Sequence, residues 1–247
     1  MNRILFETDE VIDGVATFGG ARAEHVMKVL HGEVGQTIRT GVLDGPVGTG
    51  EIVSAEGGDG AAPCRVSVRV NHCEESLAPW ADLILAPPRP RVLKRLLPQL
   101  AAMGVGTIVL VGAKKVEKDF WGATLLREEN YRPLLVDGLM QAGTSAVPRV
   151  EARRNFRRFV SDELDAMFPE GERVVAHPYG AAPWRDGGRG AEGRILLAVG
   201  PEGGWTDDEV SALEERGFRR RSLGRRILKT ETAAVALLAK LNREDET

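Results

Sequence analysis

Three scarcities narrow the classes of protein to which this chain can belong. Two of its 247 residues are cysteine, so we predict neither a disulfide framework nor a zinc site, and expect Cys64 and Cys73 to be reduced thiols. No apolar run approaches the roughly 20 residues that a membrane-spanning helix needs. The first residues, MNRILFETDEVID, lack the basic and apolar regions of a signal peptide. We therefore expect a cytoplasmic protein without a metal.

Two common phosphate-binding motifs are also missing. No G-x-G-x-x-G opens a helix after a predicted strand. The segment GRRILKT, residues 224–230, lacks the glycine that precedes the lysine in a Walker loop. The sequence therefore argues against a dinucleotide or a nucleoside triphosphate as ligand.

Charge and strand patterns change near residue 76. Residues 1–75 carry six Lys/Arg against twelve Asp/Glu, and their short segments, such as CRVSVRV, predict a small β barrel with one helix. Residues 76–247 instead alternate short apolar runs with helical segments, which is typical of an α/β domain with a parallel sheet. We predict two domains, 1–75 and 76–247.

A glycine-rich loop follows one of the predicted buried strands of the second domain. The stretch LAVGPEGGWTDDEV, residues 197–210, runs from that strand into a helix, where ligands bind in open α/β sheets. Thr206 and Glu209 have the spacing of a capping box, so we expect the helix to begin at Asp207. Glu202 and the acids at the helix start oppose an anionic ligand, so a neutral or cationic ligand is favoured.

A basic segment, SLGRRILKTETAAVALLA, occupies residues 222–239. Seven basic residues and no acid lie from Arg216 to Lys229, and Thr230 is a candidate N-cap for the last helix. Further basic clusters lie at residues 89–95 and 153–158. Because several clusters are present, a long polyanion such as RNA is a better partner than one small phosphate.

These two segments, together with AHP at residues 176–178, resemble the RsmE-type family of uridine-N3 methyltransferases, which act on small-subunit ribosomal RNA. Weaker resemblance extends across the chain, for example in EHVMKVLHGEVGQ. It implies a PUA-like N-terminal β barrel that binds RNA and a SPOUT-type α/β domain with a C-terminal trefoil knot. It also implies S-adenosylmethionine as cofactor and a homodimer.

The resemblance also implies the site residues. The cofactor would be bound by His177, Gly200, Pro201, Glu202, Gly203, Gly204, Leu223, Gly224, Ile227, Leu228 and Thr232. Methylation at N3 requires loss of the ring proton, which Glu202 or Glu231 could accept. Arg226 or Lys229 could instead stabilise a uracil oxyanion or hold a phosphate. The expected RNA-binding residues are Arg225, Arg226, Lys229, Arg91 and Lys94.

The chain also departs from the family pattern at several positions. The usual Lys and Glu are absent from Pro98–Met103, His31 stands where an Arg is usual, and Arg225 replaces a Pro. These changes fall on positions expected to contact RNA, so three functions remain open. They are uridine-N3 methylation, methylation at another RNA site including a ribose 2′-oxygen, and a non-catalytic role in RNA binding or ribosome assembly. We rank N3 methylation first, because the Asn or Ser that follows S-L in ribose methyltransferases is Gly224 in this chain.

Overall fold

The computed structural model describes residues 3–57, 64–180, 182–183 and 194–242 of the chain. Two compact units are present. Unit 1 comprises Met1–Ala78 and Val136–Val147, and unit 2 comprises Pro79–Leu135 and Pro148–Thr247. Within the described residues, no helix is both long and apolar enough to cross a membrane.

Residues 136–147 belong to unit 1, whereas the sequence analysis places all of residues 76–247 in the second domain. The reason is a set of hydrogen bonds that local sequence patterns cannot reveal. The Arg3 N–H donates to the Met140 carbonyl at 2.9 Å, and the Ser145 hydroxyl donates to the Gly45 carbonyl at 2.6 Å. This distant segment therefore completes the N-terminal unit.

Unit 1 is built on a six-stranded sheet of order β1-β4-β5-β6-β3-β2, in which β1 and β4 are parallel and the other pairs antiparallel. Its strands and helix are β1 (Ile4–Phe6), β2 (Val11–Ile12), β3 (Val15–Gly19), α1 (Gly20–Glu24), β4 (Thr37–Val42), β5 (Val47–Glu56) and β6 (Arg65–Glu74). A π-helical turn, His25–Val29, extends α1. The PUA-like barrel stays a prediction.

A buried arginine lies beside the apolar core of unit 1. Arg3 is 7% exposed, and its guanidinium donates to the carbonyls of Thr40, Gly48 and Gly143 at 2.7, 2.8 and 3.0 Å. These bonds offset the cost of burying its charge. Desolvation lowers the pKa of Arg3. The Arg3 side chain thereby joins β4, β5 and residue 143.

Unit 2 alternates strands and helices, as the sequence predicts. The elements are β7 (Ala81–Leu85), α2 (Pro90–Ala102), β8 (Val105–Val111), α3 (Glu128–Ala142, whose residues from Val136 belong to unit 1), β9 (Arg149–Arg153), α4 (Phe156–Arg158), α5 (Leu164–Met167), β10 (Arg173–Ala176), β11 (Ala182–Pro183), β12 (Ile195–Val199), α6 (Asp207–Glu215), β13 (Arg219–Ser222) and α7 (Thr230–Leu241). A π-helical turn joins α4 to α5. The predicted start of α6 at Asp207 is confirmed.

All strands of unit 2 run parallel in one sheet of order β11-β13-β10-β12-β7-β8-β9. Every residue of β7 and β12 is buried, as expected for strands covered on both faces. One core cluster packs Ile84, Val109 and Val175 with Phe159 and Leu213. On α2, Leu93, Leu96, Leu97 and Leu100 are buried, and α2 contacts α7. The predicted α/β domain with a parallel sheet is confirmed, and the trefoil knot stays a prediction.

We predict that unit 1 loses stability in mild acid through His72. Burial and the neighbouring charge of Arg3 lower the pKa of His72 below its ordinary value of 6.5. The unfolded chain therefore binds this proton more readily, so the contribution of His72 is complete above about pH 6.5 and falls as the pH drops below it.

Urea unfolding of the wild type and of His72→Gln at pH 7.5 and pH 5 tests this prediction. We expect the variant to lose less unfolding free energy between the two pH values than the wild type. Equal losses in both proteins would remove His72 from the pH dependence.

Candidate functional site

A pocket of unit 2 lies where three neighbouring strands end. The residues that follow β10, β12 and β13 line it, and its volume is about 600 Å³. Because these strands are parallel neighbours, their carboxyl ends meet at one edge of the sheet, the usual ligand position in this architecture. We call this cavity the main pocket.

The structure brings together most of the residues predicted to bind a cofactor. The lining includes His177, Gly200, Pro201, Glu202, Gly203, Gly204, Leu223, Ile227 and Leu228, and also Arg226. Gly224 and Thr232 do not line it, and neither do Arg225, Lys229 and Glu231. The glycine-rich loop and the turn after β13 therefore form one cavity.

A buried carboxylate fixes the glycine-rich loop. Glu209 is 7% exposed and accepts hydrogen bonds from the Thr206 N–H at 2.8 Å and the Thr206 hydroxyl at 3.1 Å. Thr206 in turn accepts from the Glu209 N–H, so the predicted capping box is confirmed. The Lys114 N–H also donates to Glu209, at 2.7 Å. One side chain thus joins the loops that follow β8 and β12.

The glycine-rich loop contacts Lys115, which the sequence analysis did not select. The Lys115 ammonium donates to the Gly203 carbonyl at 2.7 Å. A Cβ atom on Gly203 would lie 2.9 Å from the Lys115 Cδ atom, so a larger residue there would displace the lysine. Gly204 has φ +70°, a conformation that favours glycine. The glycines therefore provide both the turn and the room for Lys115.

The turn after β13 exposes apolar side chains beside the main pocket. The Ser222 hydroxyl donates to the Gly224 carbonyl at 2.9 Å, and Gly224 has φ +121°. Leu223 and Leu228 are partly exposed, and Ile227 is 70% exposed. Gly224 therefore shapes the turn without lining the pocket.

The last helix differs from the prediction at its first turn. Lys229 is the N-cap, and Thr230 is the first helical residue, so the proposed Thr230 cap is wrong. The Thr230 hydroxyl donates instead to the Gly200 carbonyl at 3.2 Å. Thr230, Ala233 and Leu237 line the main pocket, as their helical spacing allows, while Thr232 is exposed. Thr230 therefore occupies the position expected for Thr232.

The basic residues of unit 2 fall into two groups, those that form an ion pair with a carboxylate and those that form none within the described residues. Arg153, Arg173, Arg216 and Arg220 each lie within 3.0 Å of a carboxylate. Hydrogen bonds to Glu214 raise the pKa of Arg220. Among the described residues, no carboxylate forms an ion pair with the five predicted RNA-binding cations, all of which are exposed: Arg91, Lys94, Arg225, Arg226 and Lys229.

Trp205 is a further lining residue that the sequence analysis missed. Its side chain packs against Phe156, with ring centroids 5.5 Å apart, and is 4% exposed. Its indole N–H has no hydrogen-bond partner in the part of the chain that the structure describes. The sequence could have drawn attention to this tryptophan, because it directly follows the glycine-rich loop and a buried indole N–H usually has an acceptor.

Comparisons with known proteins agree with this geometry. Residues 75–242 match the family described as an RNA methyltransferase domain. The ribosomal RNA small subunit methyltransferase E of Treponema pallidum is 30% identical over 242 residues, which cover 97% of this chain and 90% of that protein.

Two solved structures are similar over almost their whole length. The Neisseria gonorrhoeae ribosomal RNA small subunit methyltransferase E, bound to S-adenosylmethionine, has a TM-score of 0.73 at 23% identity, covering 98% of this chain and 96% of that one. A candidate methyltransferase of Legionella pneumophila, with the same cofactor bound, has a TM-score of 0.75 at 22% identity, covering 97% and 96%. At these identities the likeness shows the fold.

We predict that Thr206→Ala destabilises the glycine-rich loop and α6. The substitution removes the helix cap and one partner of the buried Glu209, at an expected cost of about 1 to 2 kcal/mol. Ser211→Ala, on the exposed side of α6, should change the unfolding free energy by less than about 0.5 kcal/mol. Urea unfolding measures both, and equal effects would contradict the role of the cap.

Proposed function

We propose a reaction from one premise: the chain belongs to the RNA methyltransferase domain family. The reaction is transfer of a methyl group from S-adenosylmethionine to N3 of a uridine in small-subunit ribosomal RNA. The name of the Treponema pallidum relative and the cofactor in the Neisseria gonorrhoeae structure support the substrate class and the methyl donor.

The main pocket fits S-adenosylmethionine in size and in the mixed character of its lining, which includes the cations Lys115, Arg221 and Arg226 as well as acids, and this fit carries the proposal. A volume of about 600 Å³ lies in the range of small-molecule sites. Leu223, Ile227 and Leu228 offer apolar surface, while Glu202 and Asp207 supply carboxylates that attract the cationic sulfonium and ammonium groups.

Glu202 is the better candidate of the two proposed proton acceptors. It lines the main pocket, whereas Glu231 lies in the first turn of α7 outside the lining. The uracil N3–H proton must leave as the methyl group arrives, and a nearby carboxylate can accept it. Arg226 also lines the pocket and can stabilise negative charge on the uracil oxygens.

The exposed cations without carboxylate partners support RNA binding. Phosphate contacts need arginines and lysines that are not neutralised by neighbouring acids. Arg91 and Lys94 lie three positions apart on α2, and Arg225, Arg226 and Lys229 lie between β13 and α7. We propose that both groups contact RNA phosphates.

The remaining features implied by the resemblance are also part of the proposal. Tyr179 and Ile227 line the main pocket yet are 64% and 70% exposed, which supports burial by a second subunit of a homodimer. A PUA-like barrel in unit 1, a C-terminal trefoil knot and a cytoplasmic location complete the proposal.

We expect Gly203→Val to weaken S-adenosylmethionine binding by at least about tenfold, because its side chain would displace Lys115 at the pocket wall. Isothermal titration calorimetry measures the affinity. Gly122→Val is the matched control, because a Cβ atom there meets no other atom within 4 Å. Unchanged binding by Gly203→Val would show that this wall is not part of the cofactor site.

We expect Glu202→Gln to lower methyl transfer by about a hundredfold while changing cofactor affinity much less, because the amide cannot accept the N3 proton. Arg226→Ala should also lower turnover with nearly unchanged cofactor affinity. Glu215→Gln, an exposed position outside the pocket, serves as control.

The assay uses radiolabelled S-adenosylmethionine with small ribosomal subunits, followed by mass spectrometry of the digested nucleosides. The proposed product is N3-methyluridine. A ribose-methylated or other methylated nucleoside would overturn the N3 assignment, and a protein that binds no S-adenosylmethionine would overturn the enzymatic function.

A further inference from the structure

A second cavity lies beside the main pocket at the same edge of the parallel sheet. The residues that follow β7 and β8 line it, together with Pro201 and Glu202 after β12. Since β12, β7 and β8 are adjacent parallel strands, their carboxyl ends form one continuous edge. The volume of this second cavity is about 140 Å³, which is much smaller than the main pocket.

Three residues line both cavities: Lys115, Pro201 and Glu202. The Lys115 ammonium is held at the Gly203 carbonyl, 2.7 Å away. Glu202, the proposed proton acceptor, is exposed at this junction. A ligand in the second cavity would therefore lie next to a ligand in the main pocket, with an acid and a base between them.

The walls of the second cavity suit a small flat ring with polar edges. Pro87, Pro88 and Pro90 provide rigid apolar surface without backbone N–H donors, and Phe120 adds a buried aromatic ring. The side chains of Lys115 and Glu202 can supply polar contacts to the edge of such a ring. Enzymes that modify a base bind it in such a pocket, stacked on apolar groups with its edge hydrogen-bonded.

We infer that the second cavity receives the target pyrimidine base of the RNA, turned out of its stack, while the cofactor occupies the main pocket. This inference rests on the proposed function. The neighbouring cations favour RNA, because Arg91 and Lys94 follow the cavity along α2 and carry no ion pair within the described residues.

The junction residues account for the atoms of the reaction. The sulfonium carbon–sulfur bond breaks, a bond from that methyl carbon to N3 forms, and the sulfur keeps the electron pair as a neutral thioether. The N3 proton passes to the Glu202 carboxylate. Lys115 is held at the Gly203 carbonyl and lines both cavities, so its charge can stabilise the negative charge that develops on the base.

Filling the second cavity tests the inference. Asp119 lines it and is exposed, so Asp119→Trp adds bulk there without replacing a core residue. Glu215→Trp makes the same change of charge and a similar change of size at an exposed position outside both cavities. Calorimetry with S-adenosylmethionine and methylation of small ribosomal subunits are measured for both variants and the wild type.

We expect Asp119→Trp to bind S-adenosylmethionine within about twofold of the wild type and to lose at least about tenfold in methyl transfer, because a displaced base cannot reach the methyl group. Glu215→Trp should match the wild type in both measurements. Methylation by Asp119→Trp within about twofold of the wild type would overturn the inference while leaving the proposed function intact.

Photocrosslinking gives a readout that does not depend on turnover. Ribosomal RNA containing 4-thiouridine is irradiated with the protein and S-adenosylhomocysteine, and crosslinked peptides are mapped by mass spectrometry. We expect crosslinks at residues 87–90 or 115–120 in the wild type and their loss in Asp119→Trp. Crosslinks confined to other segments would overturn the assignment of the base to this cavity.

Discussion

The buried carboxylate of Glu209 is the interaction on which the site depends. It accepts hydrogen bonds from Thr206 and from the Lys114 N–H, so it closes the first turn of α6 and joins two loops that are distant in sequence. Lys115 is thereby held beside Gly203. Since buried carboxylates are costly unless fully hydrogen-bonded, this arrangement specifies one loop conformation.

The acids around α6 determine the class of ligand. A helix N-terminus usually attracts anions, but Asp207, Asp208 and Glu209 already complement its positive end. Glu202 adds a further negative charge at the lining of the main pocket. The acids favour the cationic groups of a methyl donor over a triphosphate, while the exposed cations that form no ion pair within the described residues suit the phosphates of RNA.

The position of the sheet edge links the two cavities. The main pocket and the second cavity lie at the carboxyl ends of five adjacent parallel strands, β13, β10, β12, β7 and β8. One loop, residues 200–204, supplies lining to both. The proposed cofactor site in the main pocket and the proposed base site in the second cavity can therefore lie side by side without a domain movement. The spacing of the strands in the sheet sets the distance between them.

The sequence by itself determined the features that depend on near neighbours. Short apolar runs that alternate with helical patterns predicted the parallel α/β domain, and the T-x-x-E spacing predicted the cap of α6. The glycine-rich loop after a buried strand predicted the position of the pocket wall. Tertiary structure decided the rest. The Lys115 ammonium binds the Gly203 carbonyl, and Thr230 rather than Thr232 lines the main pocket. Arg220 is paired with Glu214 and is therefore not among the unpaired cations. These outcomes depend on contacts between distant segments, whose geometry local periodicity does not encode.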